Sequence, residues 1–169
     1  MSKRYQVLFV DERKLVPVNF LALRGENFKY EDVFGKDNAM SVFTKIINGE
    51  LPCYKIYEDE KIFSFLALDQ VNLGHTLVIS KEEINHWTEV PPDVYAHLHK
   101  VSQKIGKAIL KASGSPRVGQ MVAGFEVPHY HLHLIPAWSI PDLDFKKAQR
   151  RSDTEMKQIQ SEILRHLAL

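Results

Sequence analysis

The residues of this chain best suited to chemistry are three histidines in strict alternation, His129, His131 and His133. The residues between them, Tyr130 and Leu132, are apolar, and such alternation predicts a strand with one buried face. Side chains two residues apart on a strand share a face, so we expect the three imidazoles on one side and the apolar side chains in the core. Three groups that titrate near neutral pH, placed together, indicate a reactive site.

A single histidine in a strand is most often half-buried with a satisfied hydrogen bond, but three in alternation, out of 8 histidines in 169 residues, favour a functional site. One kind of functional site that fits this pattern is a metal site. At a rise of about 3.3 Å per residue the first and third histidines lie about 13 Å apart, too far to share one zinc ion. Two of them could still bind a metal together with His75 or Glu126, so a metal-dependent hydrolase stays open as an alternative.

Nucleophilic catalysis is the interpretation that we favour. A neutral imidazole is a good nucleophile toward phosphorus and forms covalent intermediates. The middle residue, His131, would attack, while its neighbours on the same face could donate to phosphate oxygens or protonate a leaving group. The pattern therefore predicts transfer of a phosphorus-centred group through a phosphohistidine-type intermediate.

Five segments of the sequence resemble the histidine triad (HIT) family, in the order in which that family has them. The triad itself is His129–Ile135, which reads His-Tyr-His-Leu-His-Leu-Ile. Ser41–Pro52 resembles the opening helix and turn of the family. Tyr57–Glu60 with Phe63–Leu66 resembles its first hairpin, and Gly74–Lys81 resembles its Gly-His strand. The resemblance covers more than half of the chain.

This resemblance implies a set of catalytic residues and an activity. His131 matches the nucleophile of the family, and His133 matches the residue that contacts the scissile phosphate and the leaving group. His129 matches the residue that orders the site, and His75 matches an upstream histidine that joins the cluster. The implied reaction is hydrolysis, or nucleotidyl transfer, at the alpha phosphorus of a nucleotide phosphoramidate or phosphoanhydride, as in a phosphoramidase.

The resemblance also implies nucleotide contacts, and here the chain departs from the family. The implied positions are Phe43, Leu68, Asp69, Gly124 and Glu126. The family usually has an acidic residue where this chain has Ala67, and Asp69, two residues on, is the candidate substitute. Glu126 stands where a small hydroxyl residue usually contacts phosphate, and a carboxylate repels phosphate unless a cation or proton intervenes. These departures motivate a second alternative, a catalytically weak nucleotide-binding or interaction module.

We expect no metal and no cofactor. Many bacterial members of the family bind structural zinc through a Cys-x-x-Cys, whereas the corresponding residues here are Ser41 and Thr44. The reaction implied by the resemblance needs only histidines. The only cysteine, Cys53, cannot form an internal disulfide and is expected to be a packing residue.

Composition narrows the class of partner. The chain has 22 basic and 21 acidic residues, so no strong positive field favours nucleic acid or a membrane surface. No apolar run approaches the ~20 residues of a membrane span, and we recognise no signal peptide, so a cytoplasmic location is expected. The expected partners are a nucleotide-type small molecule and, as the resemblance implies, a second copy of the chain in a homodimer.

Hydrophobic patterning predicts an α+β fold in three parts. Residues 1–39 form an extension with a candidate β-hairpin, residues 40–138 the HIT core domain, and residues 139–169 a tail with a helix. The core is expected to be an antiparallel sheet with a short N-terminal helix that starts after Ser41 and one long packing helix. The triad strand is predicted to run over residues 127–135.

Overall fold

A computed structural model of the chain describes residues 6–11, 14–19 and 40–167. Backbone contacts divide the chain into residues 1–39 and residues 40–169. In the first part Gln6–Asp11 (β1) and Lys14–Asn19 (β2) pair antiparallel as a two-stranded sheet. The domain boundaries drawn from the sequence stay predictions.

A five-stranded antiparallel sheet forms the centre of residues 40–167. Its strands, in the order in which they lie side by side, are Lys55–Glu58 (β3), Ile62–Leu66 (β4), Thr76–Ser80 (β6), His131–Ala137 (β8) and Arg117–Met121 (β7). Two short strands, Asp69–Gln70 (β5) and Gln149–Arg150 (β9), pair separately. The triad strand β8 therefore lies between β6 and β7, inside the sheet.

Three α-helices within residues 40–167 complete the α+β fold that the sequence predicts. They are Val42–Ile47 (α1), Pro92–Ser113 (α2) and Asp153–Leu167 (α3). Ser41 is the N-cap of α1, since its hydroxyl accepts a hydrogen bond from the Thr44 amide, and Gly114 ends α2 in the left-handed conformation at φ 67°. None of these helices is long and apolar enough to cross a membrane.

The three inner strands of the sheet, β4, β6 and β8, are buried on both faces, and the two faces carry different side chains. One face packs under α2 and α3, and its apolar residues include Ile62, Val78, Leu132 and Leu134. Neighbouring positions along the same strands point the other way. That second face carries Phe63, Phe65, Leu77 and Ile79, over which Phe43 of α1 packs. His131 and His133 belong to this second face, because they alternate with Leu132 and Leu134.

The predicted triad strand is wrong at its N-terminal end. Strand β8 begins at His131, so only His131 and His133 follow the alternation of a strand. Pro128 has no amide to donate to a neighbouring strand, and the amide of His129 bonds instead to the carbonyl of Val127, two residues back, at 2.8 Å. His129 thus lies in irregular backbone just before the strand, a placement that matters for the site.

Candidate active site

Three histidine rings form a contiguous row on the second face of the sheet. The ring centroids of His131 and His133 lie 4.8 Å apart, and those of His133 and His75 lie 5.1 Å apart. The sheet register explains the row, since His131 pairs with Ile79 and His133 with Leu77 across β8 and β6. His75 lies just before β6, two residues from Leu77 and on the same face. The structure therefore brings together residues that are more than fifty positions apart in the chain.

His131 has one nitrogen fixed and the other free for chemistry. Its Nδ1 lies 2.7 Å from the backbone carbonyl of His129. A carbonyl only accepts hydrogen bonds, so Nδ1 carries the proton and Nε2 keeps its lone pair. This is the protonation state that a nucleophilic imidazole needs.

His75 and His133 share a hydrogen bond. His75 Nε2 and His133 Nδ1 lie 2.9 Å apart, and the amide of Val71 donates weakly to His75 Nδ1 at 3.4 Å. In this arrangement His75 Nε2 carries the proton and donates it to His133 Nδ1, so the proton of His133 is on Nε2. His133 can then donate a hydrogen bond to a phosphate oxygen or to a leaving group beside His131.

Burial keeps the row neutral. Loss of contact with water lowers the pKa of His133 to about 3 and the pKa of His75 to about 4. Burial also lowers the pKa of His131, and its hydrogen bond to the His129 carbonyl offsets only part of that effect. At neutral pH the free protein therefore holds three uncharged imidazoles, which suits nucleophilic attack.

One phenylalanine packs edge-on against His131, at one end of the row, and another packs edge-on against His133, in its middle. The ring of Phe43, on α1, lies 5.1 Å from that of His131, and the ring of Phe145 lies 4.9 Å from that of His133. Phe145 follows the triad strand on a short segment, residues 138–147, that folds back over its own site. Asn72 anchors this segment, because its side-chain amide donates to the carbonyls of Pro136 and Asp142 at 2.8 and 2.9 Å.

Replacement of Phe145 with alanine is expected to raise the pKa of His133. The ring excludes water from the His75–His133 pair, and burial is the largest cause of the low pKa of His133. Histidine titration by NMR measures the change. Ile140→Ala, at an exposed apolar residue of the same segment, is the matched control. An unchanged His133 titration in the Phe145→Ala protein would contradict this role for the ring.

The predicted nucleotide-contact residues differ in their burial and in their contacts with the histidine row. Phe43 is buried beside the row, whereas Leu68 is 52% exposed. The Asp69 carboxylate forms an ion pair with Arg150 Nε at 2.7 Å, while the Asp69 backbone contacts the His75 ring. Gly124, at φ 75°, and the exposed Glu126 lie in the loop that precedes the triad. Neither makes a hydrogen bond or ion pair with the histidines in the described part of the chain.

Two residues of the site were not identified from the sequence. Phe145 lies outside every motif, and no local pattern indicates its contact with His133. Ser41 was identified as a helix cap, but its hydroxyl also lies 3.0 Å from His129 Nδ1. Both contacts join segments that are distant along the chain, which local periodicity does not detect.

Geometry lends no support to the metal-site interpretation. Within the described residues no group of three or more histidine, cysteine, aspartate or glutamate side chains is placed to hold a metal ion. The two nitrogens of the His75–His133 contact face each other in a hydrogen bond rather than converging on a common point.

Comparison with known proteins matches this site to a family. The HIT domain matches residues 48–139, more than half of the chain, and that span includes His75 and all three triad histidines. The chain belongs to the HIT domain family. Membership supports a nucleotide-binding or hydrolase type of function in general.

Relatives of this HIT protein include a named enzyme and solved structures. Adenylylsulfatase HINT3 of Arabidopsis thaliana is 35% identical over 137 residues, which cover 75% of this chain and 68% of the relative. A hypothetical histidine triad nucleotide-binding protein from Sulfolobus tokodaii strain7 has 31% identity and a TM-score of 0.67, covering 75% of this chain and 91% of that protein. A Zn-bound histidine triad family protein from Mycobacterium smegmatis has 28% identity and a TM-score of 0.65, covering 75% and 92%. These likenesses agree with the α+β fold described above.

Proposed function

We propose that this HIT protein hydrolyses a nucleotide phosphoramidate or phosphoanhydride through a nucleotidyl group carried on His131. The observation that carries the proposal is the hydrogen bond from His131 Nδ1 to the His129 carbonyl, which leaves the Nε2 lone pair free. The adjacent His133 ring supplies a second donor within reach of the same phosphorus. The name of the adenylylsulfatase relative supports a nucleotide-type substrate.

In the first step His131 Nε2 forms a bond to the alpha phosphorus, and the bond from phosphorus to the leaving nitrogen or oxygen breaks. The negative phosphate favours an added proton on the His75–His133 pair. This proton binds His75 Nδ1, which gives up its weak hydrogen bond from the Val71 amide, and the interaction of His75 with the Asp69 backbone favours the charged ring. His133 passes its Nε2 proton to the leaving atom, and His75 Nε2 passes a proton to His133 Nδ1. The pair ends this step neutral, and the nucleotide is bonded to His131.

In the second step water releases the nucleotide. A water oxygen forms a bond to phosphorus while the bond from phosphorus to His131 Nε2 breaks. His133 Nε2 accepts a proton from that water, and the proton on His133 Nδ1 returns to His75 Nε2. The product is a nucleoside monophosphate, and the histidine pair regains its starting protonation.

Intact-protein mass spectrometry with adenosine phosphoramidate tests the proposal. We expect an adenylyl mass on the wild-type protein after a brief quench without acid, with release of AMP and no effect of a chelator. Loss of activity with the chelator would favour the metal-dependent alternative. Tight nucleotide binding with neither adduct nor AMP would favour the binding module.

We further propose that the protein forms a homodimer through α2 and β7. Strand β7 is an edge of the five-stranded sheet, and a groove of about 340 Å³ runs between it and α2. Gly106 of α2 lines this groove and has open space where a side chain would be. An edge strand beside such a groove can pair with a second copy of itself.

Gly106→Glu is expected to convert the dimer to a monomer, because it would place a carboxylate in the contact. Light scattering coupled to size-exclusion chromatography measures the change in mass. Ala96→Glu, an exposed position on the same helix, is the matched control and is expected to leave the dimer intact. A wild-type protein that is already monomeric would contradict the homodimer.

A further inference from the structure

The side chain of His129 links the nucleophile to the start of α1. The ring is fully buried, and its Nε2 lies 2.7 Å from the carbonyl of Ser80, to which it must donate. The other nitrogen, Nδ1, is then unprotonated and accepts a hydrogen bond from the Ser41 hydroxyl at 3.0 Å. Both nitrogens of this buried ring are therefore satisfied by protein groups.

Ser41 is itself held in place by two neighbours, Thr44 and Glu83. The backbone amide of Ser41 donates to Glu83 Oε2 at 3.1 Å, and the Thr44 hydroxyl donates to the same oxygen. Partial burial raises the pKa of Glu83, but the hydrogen bonds from Thr44 and Ser41 outweigh it and lower the pKa, so the carboxylate stays charged. A fully buried serine is thus oriented toward His129.

The backbone around His129 receives little support from the sheet. Strand β8 begins only at His131. The nearest backbone hydrogen bonds run from the His129 amide to Val127, within the same loop, and from the Tyr130 amide to Ile84. Yet the His129 carbonyl is the group that holds His131 Nδ1. The position of that carbonyl therefore depends on the anchored His129 side chain.

We propose that Ser41 is a positioning residue for the nucleophile and acts through His129. Its hydroxyl fixes the His129 ring, the ring fixes the carbonyl of the same residue, and the carbonyl fixes both the orientation and the tautomer of His131. The kinetic part of this inference rests on the proposed function of His131. The Ser41 hydroxyl bonds to the His129 ring and reaches His131 only through that residue, so we assign it a positioning role and not a catalytic one.

The test compares Ser41→Gly and Ser41→Ala with wild type. Glycine is nearly as good an N-cap as serine, so Ser41→Gly removes the hydroxyl at little cost to α1. In both variants we expect the rate of His131 nucleotidylation to fall roughly 10- to 100-fold, with KM changed much less. A misplacement of about 1 Å reduces the rates of other enzymes by a similar factor. Ser41→Thr restores a hydroxyl and is expected to recover most of the rate. Ser152→Ala, which removes the serine that caps α3 away from the site, is the matched control and is expected to react like wild type.

A second readout is independent of activity. In ¹⁵N NMR the wild-type His131 ring is expected to show a single tautomer with the proton on Nδ1, and the Ser41→Gly ring a mixture of tautomers. Unchanged tautomer and rate in the folded Ser41→Gly protein would overturn the inference, as would an equal rate loss in Ser152→Ala. If the wild type forms no nucleotidyl adduct, the proposed function fails, and the NMR comparison still decides whether Ser41 positions His131.

Discussion

His131→Ala is expected to abolish turnover of adenosine phosphoramidate, with a loss of at least about 10³-fold, because the group that bonds to phosphorus is gone. The adjacent His133 is not set up to replace it. His133 Nδ1 is engaged by His75, and His133 Nε2 carries a proton in the free protein. The adenylyl mass seen on wild type is expected to be missing from the variant, and AMP release is expected to fall to the uncatalysed rate.

The control for this variant is a histidine outside the row. His86→Ala removes an exposed imidazole that, among the described residues, forms hydrogen bonds with Thr88 only, and it is expected to react like wild type. Circular dichroism and thermal unfolding show whether each variant keeps its fold. Near-normal turnover by folded His131→Ala protein would refute a nucleophilic His131.

The free energy of unfolding is expected to fall as the pH is lowered from about 6.5 toward 4. The pKa is about 3 for His133 and about 4 for His75 in the folded protein, whereas an unfolded histidine titrates near 6.5. Between these values the unfolded chain binds more protons than the folded chain, so each pH unit lost weakens the fold by up to about 1.4 kcal/mol per group. The contribution of these two neutral histidines to the free energy of unfolding is fully present above pH 6.5. It is lost progressively until the pH reaches the folded pKa of each group.

Urea unfolding at a series of pH values measures this effect. We expect a loss of at least about 2 kcal/mol between pH 6.5 and 4.5. Carboxylates whose pKa is low in the folded protein lose their contribution to stability at lower pH than the histidines do. Asp59, whose pKa is held at about 2, loses its contribution below about pH 4. His133→Gln, which replaces one imidazole with a neutral amide, is expected to flatten the dependence between pH 4.5 and 6.5. An unchanged slope in that variant would show that His133 is not a source of the effect.

Local patterns in the sequence were enough to predict most of the fold. The alternation of Leu132 and Leu134 with the histidines predicts a strand whose apolar face is buried, and both leucines lie in the core. Ser41 predicts the start of α1, which begins at the next residue. Such signals are readable because periods of 2 and 3.6 residues and helix caps are properties of short stretches of chain.

The same reasoning failed where a proline interrupts the alternating pattern of the strand. Alternation alone extends the triad strand back through His129, but Pro128 cannot donate to a ladder, and the strand begins at His131. Asp69 shows a related limit. The sequence makes it the candidate substitute for the acidic residue missing at Ala67, but it does not indicate the ion pair of its carboxylate with Arg150, from the tail.

The sequence by itself determined the reactive groups, namely the triad with His75, and the family to which the chain belongs. Tertiary structure alone decided their protonation states and their neighbours. The His75–His133 bond spans 58 positions and the Ser41–His129 bond spans 88 positions. No periodicity relates residues so far apart, because such pairs meet only when sheet register, helix docking and burial are fixed together. The free lone pair on His131 is a product of that assembly.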